Sequence, residues 1–292
     1  MARPASHLSY LASRGPLSLA LIAIVLSGCS INLGSLTPSS AEPEPAKLTS
    51  QSNIASLSET IKNNQNDPQA YNMRGSVLAQ AGKTDDALAD FNKAISLDPN
   101  YGQAYANRGL IYRQTRRLDQ AMADYERAIS LDANYAPAYL GRGLVYKARN
   151  QPAEALADFN KAIALAPDNA EAYYNRGLLY QGQKQHQYAI DDFTAANGLV
   201  PQQAEPLLAR ALSYLATDHP KEAAADLDEA VQDDSQNPQA WLTRGLAYER
   251  LGDKSKAAGS YGRAINLRPR DEVARNGLAR VGGKPGQSYD TF

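Results

Sequence analysis

The sequence predicts an all-α chain, a solenoid of six 34-residue helix–turn–helix repeats closed by a short capping helix at each end. Three observations carry this. The chain repeats itself in register from residue 68 to residue 271 without insertion. Val and Ile are sparse beside Ala and Leu, which favours helix over strand. Small residues and aromatics recur at fixed places in every block, with proline closing most of them.

Taken in chain order, residues 1–28 read as a secretory leader. Arg3, His7 and Arg14 make a basic start, and Leu17 to Leu26 (LSLALIAIVL) form an apolar run shorter than the roughly 20 residues a membrane span needs. The run ends in Leu26-Ser27-Gly28-Cys29, which resembles the lipobox of bacterial lipoproteins. That resemblance implies cleavage before Cys29 and acylation of its thiol. Two or three acyl chains make a stable anchor where one alone is marginal. Ser30 follows where an aspartate commonly marks inner-membrane retention in that family, so the resemblance points to the outer membrane, facing the periplasm. Residues 29–52 are rich in Ser, Pro and Thr and read as a flexible tether with a reach of about 25 Å. Residues 53–67 follow as the first capping helix, with Ile54, Leu57 and Ile61 on one helical stripe.

The six blocks run 68–101, 102–135, 136–169, 170–203, 204–237 and 238–271. Position 4 holds Tyr71, Tyr105, Tyr139, Tyr173, Leu207 and Trp241; position 8 is Gly in five blocks and Ala211 in the fifth. Position 11 is Leu78 and then tyrosine throughout, from Tyr112 to Tyr248. Position 20 is alanine in all six, position 24 holds Phe91, Tyr125, Phe159, Phe193, Leu227 and Tyr261, and position 27 is alanine again. Small residues at 8, 20 and 27 let two antiparallel helices approach, and the aromatics fill the space around them. Pro99, Pro167, Pro201 and Pro269 at position 32 end the second helix; Ala133 and Ser235 are the exceptions. The fifth block departs most and is expected to fold more loosely than its neighbours. Residues 272–281 suit a closing helix, with Val273, Leu278 and Val281 as its apolar side, and 282–292 read as a disordered tail.

This pattern resembles the tetratricopeptide repeat (TPR) family. The resemblance implies a right-handed α-solenoid whose first helices line a concave, partner-binding face. The positions that commonly face that groove bring forward Leu110, Leu140, Leu144, Tyr174, Leu178, Leu208, Leu212, Leu242 and Leu246, apolar without interruption from the third block onward. Positions 2, 5, 6 and 9 hold no lysine, which disfavours the subtype that clamps chaperone tails.

Position 7, usually leucine in the family, is arginine in every block: Arg74, Arg108, Arg142, Arg176, Arg210 and Arg244. Position 23 is Asp90, Asp124, Asp158, Asp192 and Asp226, with Ser260 the exception. The two positions fall at similar height on antiparallel helices, so they are expected to form structural ion pairs, within or between repeats.

The remaining composition excludes more than it suggests. The net charge is −1, and −3 without residues 1–28, which gives no electrostatic footprint for nucleic acid. Charge is uneven along the array, net −6 over 204–237 and net +5 over 238–292. Eleven of the 17 tyrosines sit at positions 4, 11 or 24 and read as packing residues, not base-stacking platforms. Cys29 is the sole cysteine, and His7, His186 and His219 share no metal spacing; the last two read as exposed turn residues. No phosphate loop, nucleophile elbow or acid/base pair stands out, so no catalytic residue, metal, cofactor or small-molecule substrate is expected. The resemblance therefore implies a non-catalytic protein-binding adaptor in the bacterial envelope, similar in plan to lipid-anchored TPR proteins of the NlpI type. The alternative is a pilotin or assembly factor for a pilus or secretion system, similar in plan to PilF and TadD.

Overall fold

A computed structural model describes residues 44–292 except 285, 288 and 290–292. Among these residues the chain is helical throughout, with turns between. Helix α1 (Glu44–Asn63) precedes six pairs: α2 (Pro68–Gln80) with α3 (Thr84–Leu97), α4 (Gly102–Gln114) with α5 (Leu118–Leu131), and α6 (Ala136–Ala148) with α7 (Pro152–Leu165). Then come α8 (Ala170–Gly182) with α9 (His186–Leu199), α10 (Ala204–Ala216) with α11 (Pro220–Asp233), and α12 (Pro238–Leu251) with α13 (Lys254–Leu267). The short α14 (Glu272–Arg280) closes the array.

Each pair packs as the sequence periods require. The alanines at positions 20 and 27, Ala87 and Ala94 through Ala257 and Ala264, have almost no exposed surface. Position 8 sits against the position-24 ring of its own pair: a Cβ at Gly143 would lie 2.7 Å from the Phe159 ring. At that spacing a larger residue forces the two helices apart.

The turn inside each pair has a feature invisible to composition. Position 15 takes the left-handed conformation in all six repeats, but only Gly82 and Gly252 are glycines there; Arg116, Asn150, Lys184 and Asp218 occupy the rest, at φ near 60°. The next backbone N–H then bonds back to the position-11 carbonyl, as in Arg117 N to Tyr112 O at 2.7 Å and Gln185 N to Tyr180 O at 2.8 Å. This is the Schellman closure that satisfies an orphan helix carbonyl. Between pairs, Asp67, Asn169, Asn237 and Asp271 cap the helices that follow them through their side chains. Where the position-32 proline is missing, the next position-4 aromatic donates to that residue's carbonyl: Tyr139 Oη to Ala133 O at 3.2 Å and Trp241 Nε1 to Ser235 O at 2.9 Å.

The ends differ from expectation in three ways. Helix α1 begins at Glu44, inside the stretch read as tether, and ends at Asn63 rather than 67. Pro45 falls in the first turn, where proline is tolerated, and Ala46, Lys47 and Leu48 are good helix formers. Val273 is exposed, so α14 covers the array with Ala274 and Leu278 instead. In the segment read as a disordered tail, Tyr289 packs against the C-terminal core, and its hydroxyl donates to Lys284 O at 3.2 Å. The fifth pair has the same helices as the others, with Leu207 and Leu227 fully buried.

Neighbouring first helices touch one another along most of the array: α2 with α4, α4 with α6, α8 with α10, α10 with α12 and α12 with α14. The second helices of neighbouring pairs make no comparable contact among the described residues. The first helices therefore occupy the inner, tighter side of the stack. Neighbouring pairs join through a second helix meeting the next first helix, so each repeat is stabilised chiefly by its immediate neighbours.

Candidate protein-binding groove

Two sets of side chains follow the repeat, one inside the helix pairs and one on the inner face. In the first, the position-7 arginines meet the position-23 aspartates as two-bonded forks. Arg74 Nε and Nη2 donate to Asp90 at 2.7 and 2.8 Å, and Arg142 to Asp158 at 2.8 Å through both nitrogens. Arg108–Asp124, Arg176–Asp192 and Arg210–Asp226 repeat the geometry. The carboxylates are buried while the guanidinium side chains keep about a fifth of their surface. The Asp bond raises each of these five arginines further above its ordinary range, so the charge is permanent. Position-4 and position-11 rings flank the guanidinium, with Arg142 5.7 Å from the Tyr139 centroid and 5.8 Å from that of Tyr146.

Four of these arginines also reach the element before their own pair. Nη1 donates to position 25 of the block before: Arg108 to Asn92 at 2.6 Å, Arg176 to Asn160 at 2.7 Å and Arg210 to Thr194 at 2.9 Å. Arg74 does the same to Ser58 of α1, which stands 34 residues before Asn92. Helix α1 therefore occupies the second-helix slot of an upstream block, in register with the array. In the sixth pair Ser260 replaces the aspartate. There Arg244, fully buried, donates through Nε to Asp228 at 2.6 Å and through Nη1 to Ser260 Oγ at 2.8 Å. Asp228, at position 25 of the fifth block, has taken over the acid's role and is also held by Tyr248 Oη at 2.7 Å. Leu278 stands at position 7 of α14, where no further second helix follows.

On the inner face, the residues brought forward from the sequence divide. Leu110, Leu144, Tyr174, Leu178, Leu208 and Leu246 are half-buried and Leu212 is exposed. Leu140 and Leu242 are buried in the core and do not line the face. Position 5 turns toward the following helices, Leu140 toward Ala172 and Leu179 and Leu242 toward Ala274 and Leu278, so its side chain is covered wherever that neighbour packs closely.

Alongside the leucines lies a polar strip that the apolar pattern does not show. Asn107 Nδ2 donates to Asn72 Oδ1 at 2.9 Å, and Gln181 Nε2 to Ala209 O at 2.7 Å and Ser213 Oγ at 2.8 Å. Between them, Lys147 Nζ donates to Asn175 Oδ1 at 2.9 Å, and Asn175 Nδ2 to Glu171 O at 2.9 Å. Burial lowers the Lys147 pKa, opposed by the Glu171 charge. Burial likewise raises the Glu171 pKa against the pull of Arg113 and Lys147. Arg113 has a buried Nε with no hydrogen-bond partner.

The Tyr125 phenol reaches Arg113 by an unusual route. A Cβ at Gly141 would lie 2.3 Å from the Tyr125 ring, so the phenol passes through a gap that exists only because position 6 of the third block has no side chain. Tyr261 uses Gly277 in the same way, its ring 2.5 Å from where that Cβ would stand, and its hydroxyl donates to Glu249. Tyr125 and Tyr261 are the two tyrosines at position 24, and each is followed by glycine 16 residues later. In both cases the partner, Arg113 or Glu249, stands at position 12. Burial pushes Tyr125 up to about 12, with Arg113 pulling it down.

Among the described residues no His/Cys/Asp/Glu group is arranged to hold a metal, and no helix is long and apolar enough to cross a membrane. His219 is exposed, but His186 is half-buried, its Nδ1 enclosed without a hydrogen-bond partner. Cys29 lies outside the described residues.

An all-α stack of this geometry is a repeat solenoid, a class built to present an extended inner surface. Tetratricopeptide repeat models match residues 54–102, 72–136, 170–202 and 208–272, and a TPR repeat model matches 143–184. The chain belongs to the tetratricopeptide repeat family. No curated protein matches it in sequence. Among solved structures it is similar to pilF of Pseudomonas aeruginosa, at 21% identity and a TM-score of 0.67, over 73% of this chain and 97% of that one. PilW, described as a widely conserved type IV pilus biogenesis factor, matches at 20% identity and 0.63, over 72% and 98%. A chain of the APC/C hetero-tetramer Cut9–Hcn1 matches at 17% and 0.66, over 80% of this chain; this chain spans about half (46%) of that one. At these identities the likeness is one of fold.

Proposed function

We propose that the chain is a non-catalytic adaptor, anchored in the bacterial envelope through a lipidated Cys29, that holds a segment of another protein along the inner face of its repeats. The observation that carries this reading is the row of incompletely buried apolar residues, Leu144, Tyr174, Leu178, Leu208, Leu212 and Leu246, on successive first helices. A surface of that kind stays open in solution only at a cost in solvation that a bound segment relieves. The anchor rests on the leader and the Leu26-Ser27-Gly28-Cys29 motif. It implies an outer-membrane location facing the periplasm.

Crosslinking pull-down from native envelopes tests the groove, comparing wild type with Leu178→Glu plus Leu212→Glu. The folded double variant is expected to lose its partners; retention of all of them sinks the reading. Metabolic labelling with palmitate tests the anchor, with Cys29→Ala expected to lose the label and leave the membrane fraction. A second reading, assembly factor for a pilus or secretion system, rests on the plan shared with pilF and PilW, each matched over nearly its whole length. Loss of surface pili on deletion of the chain, restored by the wild type but not by the groove variant, favours it.

A further inference from the structure

The polar strip on the inner face is not neutral filler between leucines. Arg113 and Lys147 stand at the same repeat position, 12, on α4 and α6, and both act on the Glu171 carboxyl of α8. Neither cation has a carboxylate within ion-pair distance among the described residues, whereas every position-7 arginine has one. Lys147 is held by a neutral amide, Asn175 Oδ1, and Arg113 keeps a buried Nε without a hydrogen-bond partner. Two positive charges thus share one more distant negative charge, at a place where burial already disfavours that of Lys147. A half-buried cation with only neutral partners costs free energy, and the most direct relief is an acidic group placed against it.

The cations are also held in position. Tyr125, threaded through the gap at Gly141, sets its hydroxyl against the Arg113 guanidinium, and the Asn175 amide, itself bonded to Glu171 O, fixes Lys147. Half-buried Leu110 and Leu144 lie one turn from Arg113 and Lys147 on the same helices, and the row continues through Leu178 and Leu208 to the exposed Leu212. Charge complementarity therefore defines one occupant: a protein segment with a carboxylate at one end of its contact and apolar side chains along the rest.

We infer that Arg113 and Lys147 form an acidic-residue seat that anchors and orients a peptide in the groove, with Tyr125 and Asn175 as positioning residues. This rests on the groove reading above and adds to it the charge and direction of the ligand.

The test is selection of twelve-residue peptides from a displayed random library on the folded chain lacking its leader. Parallel selections use the Arg113→Gln plus Lys147→Gln variant and the Leu178→Glu plus Leu212→Glu variant, each checked by circular dichroism and melting. Wild type is expected to enrich peptides with one Asp, Glu or free carboxy terminus spaced from two or more large apolar residues. Against such a peptide the cation variant should bind about tenfold or more weakly. Changing the peptide's acid to its amide should weaken wild-type binding by a similar factor and leave binding to the cation variant unchanged. Equal losses on both proteins, or enriched peptides with no acidic preference, overturn the seat and leave the groove standing. Peptides that bind the leucine variant undiminished, or the absence of any binder, overturn the groove reading and the seat with it. Concentration-dependent self-association of the wild type, lost in the cation variant, assigns the seat to a second copy of the chain and overturns the proposal as well.

Discussion

The Arg142–Asp158 fork allows a quantitative prediction because its two halves are buried unequally. Asp158 is 5% exposed and takes two N–H bonds from Arg142, each 2.8 Å, whereas the Arg142 side chain keeps 21% of its surface and lies between two tyrosine rings. Arg142→Met removes the carboxylate's donors and leaves a nearly dry anion. Stranding one member of a buried pair costs about 3–5 kcal/mol. Asp158→Leu leaves a cation that water already touches and the rings still face, so its cost is nearer 1–3 kcal/mol. Replacing both, Arg142→Met with Asp158→Leu, removes the charges together and should fall within about 1 kcal/mol of the wild type, because well-packed apolar residues often match a buried pair.

The expected order is therefore arginine loss worst, aspartate loss intermediate and the double variant mildest, a coupling of about 3 kcal/mol or more. Guanidinium unfolding followed by circular dichroism measures the global effect. Repeat arrays can lose two-state behaviour, so native-state hydrogen exchange of α6 and α7 amides gives the local value. If the two single costs simply add in the double variant, the pair is not an energetic unit and the reasoning fails. An aspartate loss worse than the arginine loss refutes the burial argument even if coupling is found.

Other positions give smaller, signed effects. Lys184→Gly should stabilise by about 1 kcal/mol in denaturant unfolding, because it relieves a left-handed residue at φ 59°; no gain would mean the turn is not held there in solution. Gly141→Ala should destabilise by about 1–3 kcal/mol through collision with the Tyr125 ring, while Gly198→Ala on α9, with nothing near its Cβ, should gain roughly 0.5 kcal/mol. Alkaline pH should weaken the fold. Unfolded tyrosine ionises near pH 10, but buried Tyr125 keeps its proton to about 12, so the stability it contributes is intact below pH 10 and lost as pH rises from 10 to 12. Unfolding midpoints at pH 9.5 and 11.5 should differ less in Tyr125→Phe than in wild type. Hydrogen exchange should be fastest in α10 and α11, since leucines at positions 4 and 24 replace the aromatics; uniform protection along the array would count against this.

What was legible in the sequence was whatever repeats with the same residue. The arginines and aspartates at positions 7 and 23 announced their pairing because one chemical type recurs at each place. The second contact of five of the six arginines stayed hidden, since position 25 supplies Ser58, Asn92, Asn160, Thr194 or Asp228 and needs only an acceptor. The left-handed turn was hidden for a similar reason: the backbone repeats, but only two of its six residues are glycine. For the groove, family position indicated the helix face but not how closely the neighbouring helices cover it, which is why Leu212 is exposed and Leu140 and Leu242 are buried. The acidic-residue seat lay at a place that averaging over repeats erases. Position 12 reads Ala79, Arg113, Lys147, Gln181, Leu215 and Glu249. A repeat array needs sameness to stack, so sites that single out one ligand must come from positions that differ between blocks while facing a common surface. Position 12 satisfies both conditions, and its one concentration of positive charge coincides with the phenol that Gly141 admits.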